Sequence, residues 1–126
     1  MAYCTLDDLM AMLSESEIAQ LSAETGEIPD AEIVAAAIAA ADALIDGYCE
    51  QRYGSIMPFS PVPEIIKAMS VDIAIYNLFS RRTIMPEVRR LKYEDAISFL
   101  KRIAQGLANI SGTSSTGATT IRWYAV

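Results

Sequence analysis

Asp42, Asp46 and Glu50 recur every four residues, a spacing that lines three carboxylates along one edge of a helix. Carboxylate oxygens are the natural ligands of hard cations, but a cage for such an ion collects more oxygens than one helix edge presents. The expected role of this edge is therefore solvation or contact with a partner surface. Asp72 is a different case, because it falls between Ile65, Ala68 and Ile75 on an apolar side of its helix. A carboxylate placed there needs a cation or several donors. Arg52 is the only basic residue before Lys67 and is the expected partner, with the hydroxyls of Tyr48 or Tyr76 assisting. Asp72 and Arg52 are thus expected to form a buried structural pair.

The rest of the inventory is thin for catalysis. Histidine is absent, which removes the commonest general base, the commonest zinc ligand and the usual pH switch. No Ser–His or Cys–His pair can form, and neither a Gly-rich phosphate loop nor a Cys-x-x-Cys pair is present. Cys4 and Cys49 stand far apart and read as small buried apolar groups in a reducing compartment. Asp7 and Asp8 suit the first turn of a helix, where carboxylates meet the positive end of the dipole. The expectation is a protein without catalytic residues, cofactor or metal, and not an enzyme. Arg81, Arg82, Arg89, Arg90, Lys92, Lys101 and Arg102 form a cationic cluster that could touch phosphate. The net charge of −6 and a sequence pI near 4.5 oppose a dedicated nucleic-acid face, so a solvated or subunit-facing surface is expected.

These residues are carried by helical patterns. Thr5 with Asp8, and Ser14 with Glu17, are start signals for two short helices. Gly26 and Pro29 break the second, and Asp30 caps a long helix running to about Arg52. Its apolar stripes are Ile33, Ala37, Ala40, Leu44 and Tyr48, and beside them Val34, Ile38, Ala41, Ile45 and Cys49. A proline-punctuated loop follows over 53–63, and Pro63 opens the next helix, with Ile66, Met69, Ile73 and Tyr76 at core spacing. Arg81 and Arg82 are expected in its last turn. Pro86 opens a final helix in which Arg90 and Glu94 are spaced to pair, and Gly106 is its expected stop. The pattern gives an all-α compact bundle of about five helices over residues 1–107. Residues 108–126 read as a Ser/Thr/Gly-rich linker and flexible C-terminal arm, ending in the strand-type run Ile121-Arg122-Trp123-Tyr124.

Charge is distributed unevenly along the chain. Residues 1–51 hold eleven of the sixteen carboxylates and none of the ten Lys and Arg, a net −11 against +5 for residues 52–126. Either the fold neutralises this split internally, or a second copy does so by docking acidic face to basic face; a head-to-tail contact of that kind builds rings or filaments. Asp42, Asp46 and Glu50 are the acidic candidates for such a contact, and Arg81, Arg82, Arg89 and Arg90 the basic ones. Ile121, Trp123 and Tyr124 are the candidates for an arm that docks on a neighbour, the alternative being a strand in the chain's own core. The longest apolar run, Ile33–Ala41, is far shorter than the roughly 17 residues a membrane span needs, and no cationic segment precedes an apolar run near Met1. A cytoplasmic product with no membrane contact is expected.

Three stretches resemble a phage family: Asp46-Gly47-Tyr48 with Arg52-Tyr53; Pro61-Val62-Pro63 with Ile66-Lys67 and Asp72-Ile73-Ala74-x-Tyr76; and Tyr93-Glu94-Asp95-Ala96-Ile97-x-Phe99-Leu100. The opening Met1-Ala2-Tyr3-x-Thr5-x-x-Asp8-Leu9 also fits. Together they are similar to the small Mu-like prophage head–tail connector, or head-completion, proteins, over residues 1 to about 107. The resemblance implies an all-helical adaptor that joins the portal ring to the tail as a multimeric ring at the virion head–tail junction. It implies assembly in the host cytoplasm, with the portal protein and tail or head-completion proteins as partners and passive contact with packaged DNA. It supplies no catalytic residue. Cys4, Cys49, the Thr25–Pro29 loop and everything after Gly106 depart from the pattern. The alternative class is a small helical DNA-binding or regulatory protein, which needs a cationic helix free to enter a major groove.

Overall fold

The computed structural model describes residues 2–24 and 27–110, and all regular structure among them is helical. The helices are α1 (Leu6–Met10), α2 (Glu15–Ser22), α3 (Ala31–Tyr53), α4 (Glu64–Phe79) and α5 (Glu87–Ala104), with a 3-10 turn at Gly54–Ile56. The arm candidates Ile121, Trp123 and Tyr124 lie outside the described residues.

Local chemistry sets the helix starts. Thr5 and Ser14 each form a capping box with the acidic residue three positions on, Asp8 and Glu17. The Asp30 side chain accepts from the amides of Glu32 and Ile33. Pro63 and Pro86 precede α4 and α5, where a missing amide proton costs nothing. After α5, Gly106 takes φ +80, the left-handed conformation that lets a helix stop without strain on a Cβ. The chain does not leave the bundle there: Ala108 and Ile110 are buried, so the packed body runs past the expected boundary at 107.

Helices α3, α4 and α5 form the central trio, and α1 and α2 pack on α4. Asn77 donates to the Ala37 carbonyl and Ser70 to Asp42, which sets α3 and α4 antiparallel. Arg52 reaches the Ile103 carbonyl, so α3 and α5 run the same way. The core is the inner stripe Val34, Ile38, Ala41, Ile45 and Cys49 of α3 against Ile66, Met69, Ile73 and Leu78 of α4 and Phe99, Leu100 and Ile103 of α5. Each large member stabilises the fold by roughly 1.5–3 kcal/mol through burial. The second expected stripe is only half inside, and its Ala40 is exposed.

Candidate functional site

The acidic edge of α3 is where sequence and structure part. Asp42 is buried at 6% exposure, Asp46 is half-buried, and only Glu50 is exposed. Residues four apart advance by about 400° at 3.6 residues per turn, so the row drifts by roughly 40° at each step. Its upper member turns into the protein while its lower member faces water. What covers Asp42 is the bent segment before α1, at Tyr3 and Cys4.

That segment builds a polar seam. The Tyr3 amide donates to Asp42 Oδ2 at 2.9 Å, and the Ser70 hydroxyl donates to Asp42 Oδ1 at 2.7 Å. Cys4 Sγ lies 3.1 Å from Ser70 Oγ. The Tyr3 hydroxyl donates to Asp46 Oδ1 at 2.6 Å and accepts from the Phe59 amide at 3.4 Å. Burial pushes the Asp42 carboxyl up, the donors on Ser70 and Tyr3 pull it back, and the charge of Asp46 adds to the rise. Burial and the bond to Asp46 raise the Tyr3 phenol. No group of three or more His, Cys, Asp or Glu that could hold a metal ion occurs among the described residues. The seam ties the N-terminal segment to α3, α4 and the loop before α4; among the described residues, the donors to Asp42 and Asp46 are the Tyr3 amide, the Tyr3 hydroxyl and the Ser70 hydroxyl.

Both thiols are reduced and enclosed. Burial pushes Cys4 to about 11 and Cys49 to about 12, far from the thiolate form that attacks electrophiles. In the folded protein at pH 8, neither is expected to react with a disulfide reagent at the rate of a free thiol. Release of two equivalents should track unfolding in denaturant; a fast native equivalent would show that one cysteine is accessible.

Three of the expected surface or pairing arginines instead cap helix ends elsewhere in the fold. Helix α4 ends at Phe79, so Arg81 and Arg82 lie beyond its last turn. Arg81 Nη1 donates to the carbonyls of Leu21 and Ser22, and Arg82 Nη2 to those of Gln20 and Ala23. These are the last carbonyls of α2, a helix with no basic residue in its own last turn. Ser22 completes the joint by accepting from the Asp30 amide at 3.0 Å. At the opposite end of the bundle, Arg52 donates to the carbonyls of Ile103 at 3.0 Å and Ala108 at 2.7 Å, and to Asn109 Oδ1 at 2.6 Å. Every acceptor here is an uncharged carbonyl or amide oxygen, so these bonds engage the three arginines without neutralising the acidic half of the chain.

Arg52 is consequently not the partner of Asp72. In the antiparallel register that sets Ala37 beside Asn77, Asp72 lies near the level of Ala41. By the 1.5 Å rise per residue, Arg52 is about 15 Å farther along α3, beyond the reach of its side chain. Asp72 is half-buried. Tyr76, expected to assist it, stacks on Tyr93 with ring centroids 3.8 Å apart and so joins α4 to α5. Arg90 does pair with Glu94, at 2.8 Å, and also meets Glu87 at 3.4 Å. Arg89 is half-buried, and its Nη1 has no hydrogen-bond partner among the described residues. Lys67 and Asp8, 3.4 Å apart, link α4 to α1. Burial would raise the Asp8 carboxyl, but the Thr5 amide and Lys67 outweigh it and hold Asp8 low. No helix among the described residues is long and apolar enough to cross a membrane.

Comparison with known proteins adds what geometry alone does not. The family model described as Bacteriophage Mu, Gp36 matches residues 3–122. Gene product J of Escherichia phage Mu is 27% identical over 122 residues, covering 94% of this chain and 83% of that protein.

Proposed function

The chain belongs to the Bacteriophage Mu Gp36 family, and on that premise we propose that it is a structural protein of virion assembly, a head–tail connector that docks on the portal ring. The family match across residues 3–122 carries this reading. Two features of the fold support it. The polar residues of the seam bond to one another, which suits a rigid adaptor better than a reacting pocket. The arginines at both bundle ends fix helix termini, which gives α2 and α5 set positions from which a partner can be met. In this reading the protein is not an enzyme, assembles in the host cytoplasm and ends at the head–tail junction beside tail or head-completion proteins. A ring of copies would encircle the packaged DNA without reading it. Arg81 and Arg82 are engaged by α2 carbonyls, which thins the cationic face that a DNA-binding regulator would use.

The test is co-purification with the portal protein encoded in the same genome, followed by imaging of particles. The expected result is a stable complex with the portal and added density at the head vertex. Absence of a portal complex, together with heads that join tails normally when this chain is missing, would overturn the proposal. Retention of duplex DNA at physiological salt by the purified chain would favour the regulator instead.

A further inference from the structure

Arg89 breaks two local rules at once. It stands in the first turn of α5, where the positive end of the helix dipole disfavours a cation. Its neighbour Arg90 is offset there by Glu87 and Glu94. Arg89 is not. It is half-buried, its Nη1 is closed off from solvent, and that nitrogen meets no acceptor among the described residues. A charged N–H held away from water without an acceptor is a cost to the fold. Lys92, also half-buried, follows three residues later and so lies on the same side of α5. All sixteen Asp and Glu of the chain are among the described residues. The ion pairs seen there are Lys67 with Asp8 and Arg90 with Glu87 and Glu94, and neither Arg89 nor Lys92 takes part. The chain has no further carboxylate side chain to offer them.

We infer that Arg89 is a contact residue that receives a carboxylate from a partner protein, with Lys92 beside it adding positive charge. A rule broken without local compensation marks a functional position, and the structure separates Arg89 from the other basic candidates on this ground. Arg81 and Arg82 are held by the carbonyls of α2, and Arg90 by two carboxylates. No hydrogen bond at Nη1 has to be given up when the guanidinium turns toward an incoming group. Its planar fork matches the two oxygens of a carboxylate, and an arginine desolvated in this way is a common centre of binding energy. Duplex DNA fits less well, because exposed Glu87, Glu94 and Asp95 on the same helix repel a run of phosphates. A single carboxylate has only the enclosed fork to meet. The inference rests on the connector reading only for the identity of the partner, the portal protein.

The test uses the full-length chain, Arg89→Met, which keeps the apolar stem, and Lys101→Met, a control at an exposed position in the last turn of α5. Without any partner, Arg89→Met is expected to melt at least about 2 °C above the wild type, because it removes the unpaired N–H. Acetate, titrated at constant ionic strength, should shift the Arg89 guanidinium resonances saturably and more than inorganic phosphate does. With the portal, Arg89→Met should bind at least about tenfold more weakly than the wild type, and Lys101→Met as the wild type does. A lower melting temperature for Arg89→Met would show that the guanidinium holds the fold, and would overturn the inference. So would a portal complex that Arg89→Met leaves unchanged, or that Lys101→Met weakens equally. A stronger response to phosphate than to acetate would assign a phosphate ligand instead and overturn the carboxylate. The melts and the acetate titration need no portal, so failure of this contact and failure of the connector reading are separable.

Discussion

Asp42→Ala is expected to destabilise the protein by about 3 kcal/mol, because it strips the acceptor from two enclosed donors at once, and a donor left unpaired in a dry site costs roughly 1–3 kcal/mol. The donors are the Tyr3 amide and the Ser70 hydroxyl. For a domain whose total stability is about 5–15 kcal/mol, that is a loss visible as a drop of several degrees or more in Tm. Loss of the Tyr3 anchor should also free the segment before α1, so exchange of the Tyr3 amide should rise ahead of global unfolding. A Tm within a degree of wild type would mean that water or another group replaces the carboxylate.

The same residue gives a signed pH dependence. A carboxyl whose folded pKa is raised binds its proton more tightly in the native state than in the unfolded chain, so its ionisation opposes folding. Asp42 is raised from an ordinary 3.8. Its penalty is absent below that value, grows as pH rises through the folded value, and is full above it. Asn cannot ionise and still offers one acceptor oxygen. Asp42→Asn should therefore gain on wild type as pH climbs from about 4 toward neutrality. A stability difference that is flat with pH would show that Asp42 titrates normally.

What could be read from the chain, and what could not, divides by range. The starts of α1, α2 and α3 follow from Thr5, Ser14 and Asp30, because capping joins residues two or three apart. The buried stripe Val34–Cys49 and the stop at Gly106 are equally local. A four-residue repeat places Asp42 on an edge expected to meet solvent or a partner, and the repeat does lie along one side of α3. The 40° drift per step and the covering segment at Tyr3 decide burial, and neither is visible in periodicity. Asp72 and Arg52 do not meet for a related reason: matching two residue types leaves out the register between α3 and α4. The role of Arg81 and Arg82 is not legible in the sequence because α2 borrows its C-terminal cations from a turn about sixty residues away. One signal was present. A short helix followed by an acidic stretch, with no Lys or Arg before position 52, has carbonyls that only a distant cation can meet.

Arg52→Ala is the second large effect expected, and it distinguishes a cap from a surface charge. Arg52 is the only described residue that joins the end of α3 to the end of α5 through three side-chain hydrogen bonds, to Ile103, Ala108 and Asn109. Next to it, Tyr53 is buried and its hydroxyl accepts from the Ile110 amide at 3.1 Å. Removing the guanidinium leaves the Ile103 and Ala108 carbonyls without that donor at a closing corner of the bundle, a loss of about 2–3 kcal/mol. The damage should begin locally: the Ile110 amide should exchange at nearly the rate of an unprotected peptide, while the amides of α4 keep their protection until global unfolding. Lysine retains the charge but not the planar fork that serves acceptors from two nitrogens. Arg52→Lys is therefore expected to recover less than half of the lost stability. Full recovery by lysine would show that Arg52 acts as a point charge on the α5 dipole, and an unaltered Ile110 amide in the alanine variant would show that Tyr53 holds that corner alone.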